Sequence, residues 1–271
     1  MTKPGYAYFA LAMHTHATDE RELLGAKHRT TYQSRRLFMN RSLSFLALLT
    51  SSAVLGTGFA APVAADNDRR DAEYLVTISN LTKGQVFSPP VLATHNSSVS
   101  IFTPGSRASE ELVDVAENGN GVPLADSLSR LPQVFEAIAE MQPILPLIDP
   151  DDAVAFEIHS RGRFDRFSMV SMLVNTNDAF LAIDSVELPS RRGSSRSYYA
   201  IAYDAGSESN NEECAFIPGP ACAAESGNER HPEDAEEFIY VHNGVHGIAD
   251  LVPKDYDWRN PVAEVVIKRV R

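Results

Sequence analysis

The feature that most constrains the fold is a succession of short strand-like runs set apart by turn-forming residues. Tyr74 to Ser79 alternates, with Tyr74, Val76 and Ile78 on one face, and Val154 to His159 alternates in the same way. Phe167 to Val174 and Phe180 to Ile183 are apolar without a break, and Ser197 to Tyr203 is rich in β-formers. Phe238 to His242 leads into Asn243-Gly244, a turn signal. Val262 to Val270 closes the chain with Ala263, Val265 and Ile267 on one side and Glu264 and Lys268 on the other. Many short strands with turns between them predict an all-β protein, an antiparallel β-sandwich. Short helical insertions are expected over Ser109 to Gly119, Val122 to Leu131 and Gln133 to Met141, the last ended by Pro143 and Pro146. Pro89-Pro90, inside the run from Phe87 to Ala93, predicts an edge or a bulge there, because proline donates nothing to a ladder.

Two of the predicted strands end in acids. Asn175-Thr176-Asn177-Asp178 follows the Phe167–Val174 run, and Asp204-Ala205-Gly206-Ser207-Glu208 follows Tyr203. Asp178, Asp204 and Glu208 are hard oxygen donors of the type calcium takes, and Gly206 lets the backbone turn between two of them. Crowded carboxylates repel one another unless a cation neutralises them. Asp, Asn, Ser and Gly also favour ordinary solvated turns, so spacing alone leaves both possibilities open.

The same segments carry a family resemblance. Ser168-Met169-Val170 through Asp178-Ala179-Phe180-Leu181-Ala182-Ile183, then Tyr203 to Ser209, resemble the spondin N-terminal domain found in F-spondin, mindin and secreted bacterial proteins. Tyr74 to Thr82, Gly84 to Pro90 and Leu251 to Arg269 fit the bacterial form of the pattern, so the resemblance spans roughly residues 73 to 270. It implies an antiparallel sandwich with bound calcium, and by matching position Asp178, Asp204 and Glu208 would be the calcium carboxylates. Glu208 stands where the animal proteins have aspartate, and its carboxylate reaches one methylene further. The resemblance implies a non-enzymatic module for extracellular or cell-surface binding and adhesion. Surface polysaccharide, lipid headgroups or another envelope protein are the expected partners.

Residues 1–33 fit neither a signal nor a domain. Residues 34–65 read as an export signal, with Arg41, the apolar run Leu43 to Leu49, and Val63-Ala64-Ala65 as a cleavage site before Asp66. Ser34-Arg35-Arg36-Leu37-Phe38 resembles a twin-arginine motif, and Met39 is an alternative start that would remove it. The apolar run is too short and broken for a permanent membrane span. Residues 66–271 are then one domain, secreted, periplasmic or held at the cell surface. Seven of the 24 Lys and Arg and three of the 36 Asp and Glu lie in 1–65, which leaves 17 against 33 and a net charge of −16 in place of −12. Such a surface disfavours nucleic acid. The two cysteines, Cys214 and Cys222, flank Pro218-Gly219-Pro220 and are expected to form a disulfide.

His231, His242 and His246 offer a second chemistry, an exported metal-dependent hydrolase. Asn243-Gly244 breaks any helix that would align His242 with His246, and no glutamate follows His242 as a metalloprotease base. There is no Gly-x-Ser-x-Gly elbow, phosphate loop or dinucleotide fingerprint. Asp149-Pro150-Asp151-Asp152 reads as a solvated turn, and Trp258 as a core plug before the last strand.

Overall fold

A computed structural model describes residues 71–139, 147–222 and 230–271. The extension 1–33, the export signal 34–65 with its twin-arginine motif and alternative start, and Pro143 and Pro146 lie outside the described residues.

The chain runs β1 (Ala72–Asn80), β2 (Val91–His95), α1 (Glu110–Asn118), α2 (Val122–Ser129), β3 (Val134–Ala139), β4 (Ala153–Ser160), β5 (Arg166–Met172), β6 (Ala179–Glu187), β7 (Ser195–Asp204), β8 (Tyr240–Val241), α3 (Pro253–Tyr256) and β9 (Ala263–Arg269). Among the described residues the strands form an antiparallel sheet in the order β3-β2-β5-β6-β7-β9-β1-β4, with β8 added to β7. Strand β7 belongs to both halves of this sheet. Its first part, Ser195 to Ala200, pairs with β9, and its last part, Ile201 to Asp204, pairs with β6. The far ends of the sheet meet through side chains rather than a ladder: Thr94 Oγ1 donates to His159 O at 2.6 Å, and His159 N donates to the Glu136 carboxylate. The all-β fold with short helices is therefore an antiparallel sheet nearly closed on itself.

Burial explains the two kinds of sequence pattern. Strand β1 alternates buried and half-buried residues, because one face meets the core and the other does not. Tyr74, Val76 and Ile78 share that core with Phe87, Phe167, Leu181, Val265 and Ile267. Strands β2, β5 and β6 are buried on both faces, hence their unbroken apolar runs. Their second face, with Val91, Ala93, Val170 and Phe180, is covered by Leu112, Val115 and Ala116 of α1 and Leu124, Ala125 and Leu128 of α2. The helical excursion is a lid on the sheet. Helix α1 begins where Ser109 Oγ accepts from Leu112 N at 3.2 Å, and ends at Gly119 in the left-handed conformation.

One expectation is corrected. Gln133 to Met141 was expected as helix, but Val134–Ala139 is β3 along β2. Glu136, Ala137 and Ala139 favour helix locally, and the ladder to β2 overrides that preference. Of the edge or bulge predicted at Pro89-Pro90, the structure shows the bulge: Phe87 bridges Leu173 and Val91 pairs with Val170, so this strand carries one residue more than its neighbour across the prolines. The segment lies inside the sheet, since β2 follows it between β3 and β5. Trp258 is buried in the core, and Asp149, Asp151 and Asp152 are exposed in a turn, as the sequence predicts.

Candidate metal centre

The register between β6 and β7 sets Ala179 opposite Asp204. Asp178, one residue before β6, therefore reaches the same end of the sheet as the last residue of β7. Asp178 and Asp204 are fully buried, and Glu208 is nearly so. Asp178 Oδ2 accepts from Ser207 N at 2.7 Å, Glu208 N at 3.0 Å and Ser207 Oγ at 3.1 Å. Asp178 Oδ1 is buried and has no hydrogen-bond partner. Asp204 Oδ1 accepts from Gly206 N at 2.7 Å, and Oδ2 from Asn210 Nδ2 at 2.6 Å. Gly206 has φ +64°, and a Cβ there would lie 2.4 Å from Phe238 O, so only glycine fits this turn.

Burial dominates the electrostatics. It pushes the Asp178 carboxyl well above the usual carboxylate range, and the Asp204 charge adds to that rise while the Ser207 and Glu208 donors oppose it. Burial raises Asp204 to about 6, against the Asn210 and Gly206 donors and with the help of Glu236. Burial also raises Glu208 to about 8, with the charge of Glu117 adding to it and His231 N–H and Arg230 opposing. The His242 imidazole goes the other way, to about 4, chiefly by burial. Its Nδ1 accepts from Gly244 N at 2.9 Å, so in the neutral ring the proton is on Nε2, which faces Asn210 Oδ1 at 3.1 Å. Asn210 thus links His242 to Asp204.

The three predicted carboxylates are placed unequally. Asp178 stands close enough to Asp204 to feel its charge. Glu208 supplies its backbone N–H to Asp178, but its carboxylate finds partners elsewhere: His231 N at 3.2 Å and Arg230 Nε at 3.9 Å, with Glu117 beyond the arginine. Among the described residues, no three His, Cys, Asp or Glu side chains stand together as a metal-holding group. The unpartnered Asp178 Oδ1 and the adjoining Asp204 carboxylate are nonetheless the donor chemistry a hard divalent cation takes. The histidines are dispersed in environment. His231 packs on Phe216 at 4.9 Å, His242 lies against Trp258 at 5.0 Å, and His246 is exposed.

Cys214 and Cys222 are joined, with Cα atoms 5.1 Å apart. Their loop is pinned to the strand-end turn, since Asn175 Oδ1 accepts from Ala221 N at 3.0 Å. Asn210, Glu212, Glu236 and Tyr240 carry much of this region and were not foreseen. Their one sequence signal is a run of short polar residues, Ser209-Asn210-Asn211, just beyond an acidic strand end.

The Spondin_N family model matches residues 80–234, more than half of the chain. The chain belongs to the spondin N-terminal domain family. The matched span holds Asp178, Asp204, Glu208 and both cysteines, while β8, α3 and β9 lie beyond it. No curated protein matches the chain significantly. The spondin N-terminal family is one of extracellular, generally non-enzymatic modules. The disulfide is consistent with secretion of this spondin domain. Among the described residues no helix is long and apolar enough to cross a membrane.

Proposed function

We propose that residues 34–65 export the chain and that 66–271 act as a calcium-stabilised spondin-type module. It binds a ligand outside the cell, in the periplasm or at the cell surface, and takes part in adhesion without catalysing a reaction. Asp178 and Asp204 hold the cation, with backbone carbonyls or water completing the shell, and Glu208 closes on it as the third carboxylate. The observation that carries this proposal is the buried, unpartnered Asp178 Oδ1 beside Asp204. A buried polar atom without a partner is costly, and two buried carboxylates this close favour a proton or a cation between them. Calcium fits the oxygen donors, pins the strand-end turn to the Gly206 loop, and leaves the neighbouring loops as the recognition surface. The expected ligands are those of an envelope: polysaccharide, lipid headgroup or protein.

Calorimetric titration of the exported protein with calcium tests this directly, alongside melting in calcium and in chelator. One bound calcium per chain and a raised Tm are expected, with magnesium a poor substitute because it keeps its waters. No heat and no change in Tm would reduce these acids to a buried turn.

A further inference from the structure

Beyond the cation lies a feature the family match does not cover. The segment Asn243 to His246 forms a ridge between two cavities, of ≈ 190 Å³ and ≈ 340 Å³, both of which it lines, the first of mixed character and the second mainly polar. The smaller is also walled by Asn177, Asn210, Glu236 and Tyr240, and the larger by Asp257, Trp258 and Arg259. The ridge has no regular secondary structure, yet the N–H groups from Gly244 to Ile248 are all held. Gly244 N donates to His242 Nδ1 at 2.9 Å, and Val245 N to Asp257 Oδ1 at 3.1 Å. His246 N, Gly247 N and Ile248 N all donate to the buried carboxylate of Glu212. Gly244 has φ +91°, and a Cβ there would lie 2.3 Å from Asp257 Oδ1. A loop this constrained loses little entropy when a ligand arrives.

The polar groups facing these cavities are only partly used. Glu236 Oε2 is buried without a partner, while its other oxygen accepts from Tyr240 Oη at 3.0 Å. Asn243 and His246 are exposed, and their side chains make no hydrogen bond among the described residues. An acceptor-only carboxylate, a carboxamide that both donates and accepts, and an imidazole of the same dual character together suit hydroxyl groups, which also do both. A cation would use only the acceptors. Tyr240 and Leu251 add the apolar surface that the C–H face of a sugar ring needs.

We infer that the cavities beside the Asn243–His246 ridge bind a neutral saccharide, with Glu236, Asn243 and His246 taking its hydroxyls. The inference rests on the domain being an extracellular binding module and gives that module a ligand class and a place.

The test is saturation-transfer NMR and calorimetry on the exported chain, with methyl glycosides of glucose, galactose, mannose and N-acetylglucosamine. Ethanolamine serves as the cationic probe, and calcium is titrated separately on the same samples. At least one glycoside should bind with Kd in the millimolar range, about 1 mM. Asn243→Ala, at an exposed position, should weaken it about tenfold with Tm and calcium affinity unchanged, and Glu236→Gln should weaken it less. Saccharide binding without any calcium binding would uphold the pocket and sink only the metal proposal. Calcium binding with no glycoside bound, ethanolamine bound in preference, or glycoside binding indifferent to Asn243→Ala would each overturn the inference.

Discussion

Glu212 and Asp178 are both buried carboxylates that order a loop by accepting backbone N–H groups, and the two regions use that device to different ends. Glu212 divides its donors between both oxygens: His246 N on Oε1, Gly247 N and Ile248 N on Oε2. Asp178 gathers Ser207 N, Ser207 Oγ and Glu208 N on Oδ2 and leaves Oδ1 bare. The Glu212 region is complete as folded. The Asp178 region has one buried acceptor left over and a second buried carboxylate, Asp204, beside it. A closed site of the first kind fixes shape, whereas an open site of the second kind favours capture of a proton or cation.

Four expected outcomes sharpen or break this contrast. The largest concerns Glu212. Glu212→Ala leaves three loop N–H groups without their acceptor, and the chain should lose about 3 kcal/mol in denaturant unfolding. A loss under about 1 kcal/mol would mean that water replaces the carboxylate and that the Glu212 region is not closed. The second is calcium. With free calcium about 100-fold above its Kd, stability should rise by about 2.7 kcal/mol by mass action. Asp178→Asn should abolish that gain. In chelator the variant should be more stable than the parent by about 1 kcal/mol, because a buried charge has gone and the Oδ2 donors still find an oxygen. Loss of stability in chelator would instead make Asp178 a second closed site.

The third is pH. An acid whose folded-state pKa is raised contributes stability that is complete below its unfolded pKa and lost as pH rises through the folded value. In chelator, stability should therefore decline from about pH 4 to about 6 through Asp204, and on to about 8 through Glu208. Saturating calcium should remove the Asp204 part, since the cation holds that carboxylate ionised. A decline that persists to about pH 8 in calcium would place Glu208 outside the shell, with His231 and Arg230 as its standing partners. The smallest is Asp149→Asn, in an exposed turn. It should change stability by less than about 0.5 kcal/mol and leave calcium binding untouched, as two-temperature denaturant melts and calorimetry will show.

Much of the fold was legible in the sequence because burial writes itself into period. Strands β1, β4 and β9 alternate where one face is buried, and β5 and β6 run apolar where both are. Strand β3 was not legible, because Glu136, Ala137 and Ala139 favour helix and only the neighbouring β2 makes them a strand. The prolines before β2 were legible as an interruption of the ladder, because proline donates nothing to it, and they fall at the bulge between Phe87 and Val91. In the candidate site, Asp178 and Asp204 could be paired from two strand ends, since register carries them to one end of the sheet. Glu212 could not, nor could the link from Asn210 to His242, because these partners lie more than thirty residues away in irregular segments whose path depends on backbone hydrogen bonds rather than on any periodicity.

Diffraction from crystals grown in calcium, with the ion located by its anomalous signal, tests the central claim most directly. The account predicts one peak per chain within coordination distance of Asp178 Oδ1 and the Asp204 carboxylate. No peak there in calcium-saturated crystals, or a peak held by other groups while Asp178 Oδ1 stays bare, would contradict it.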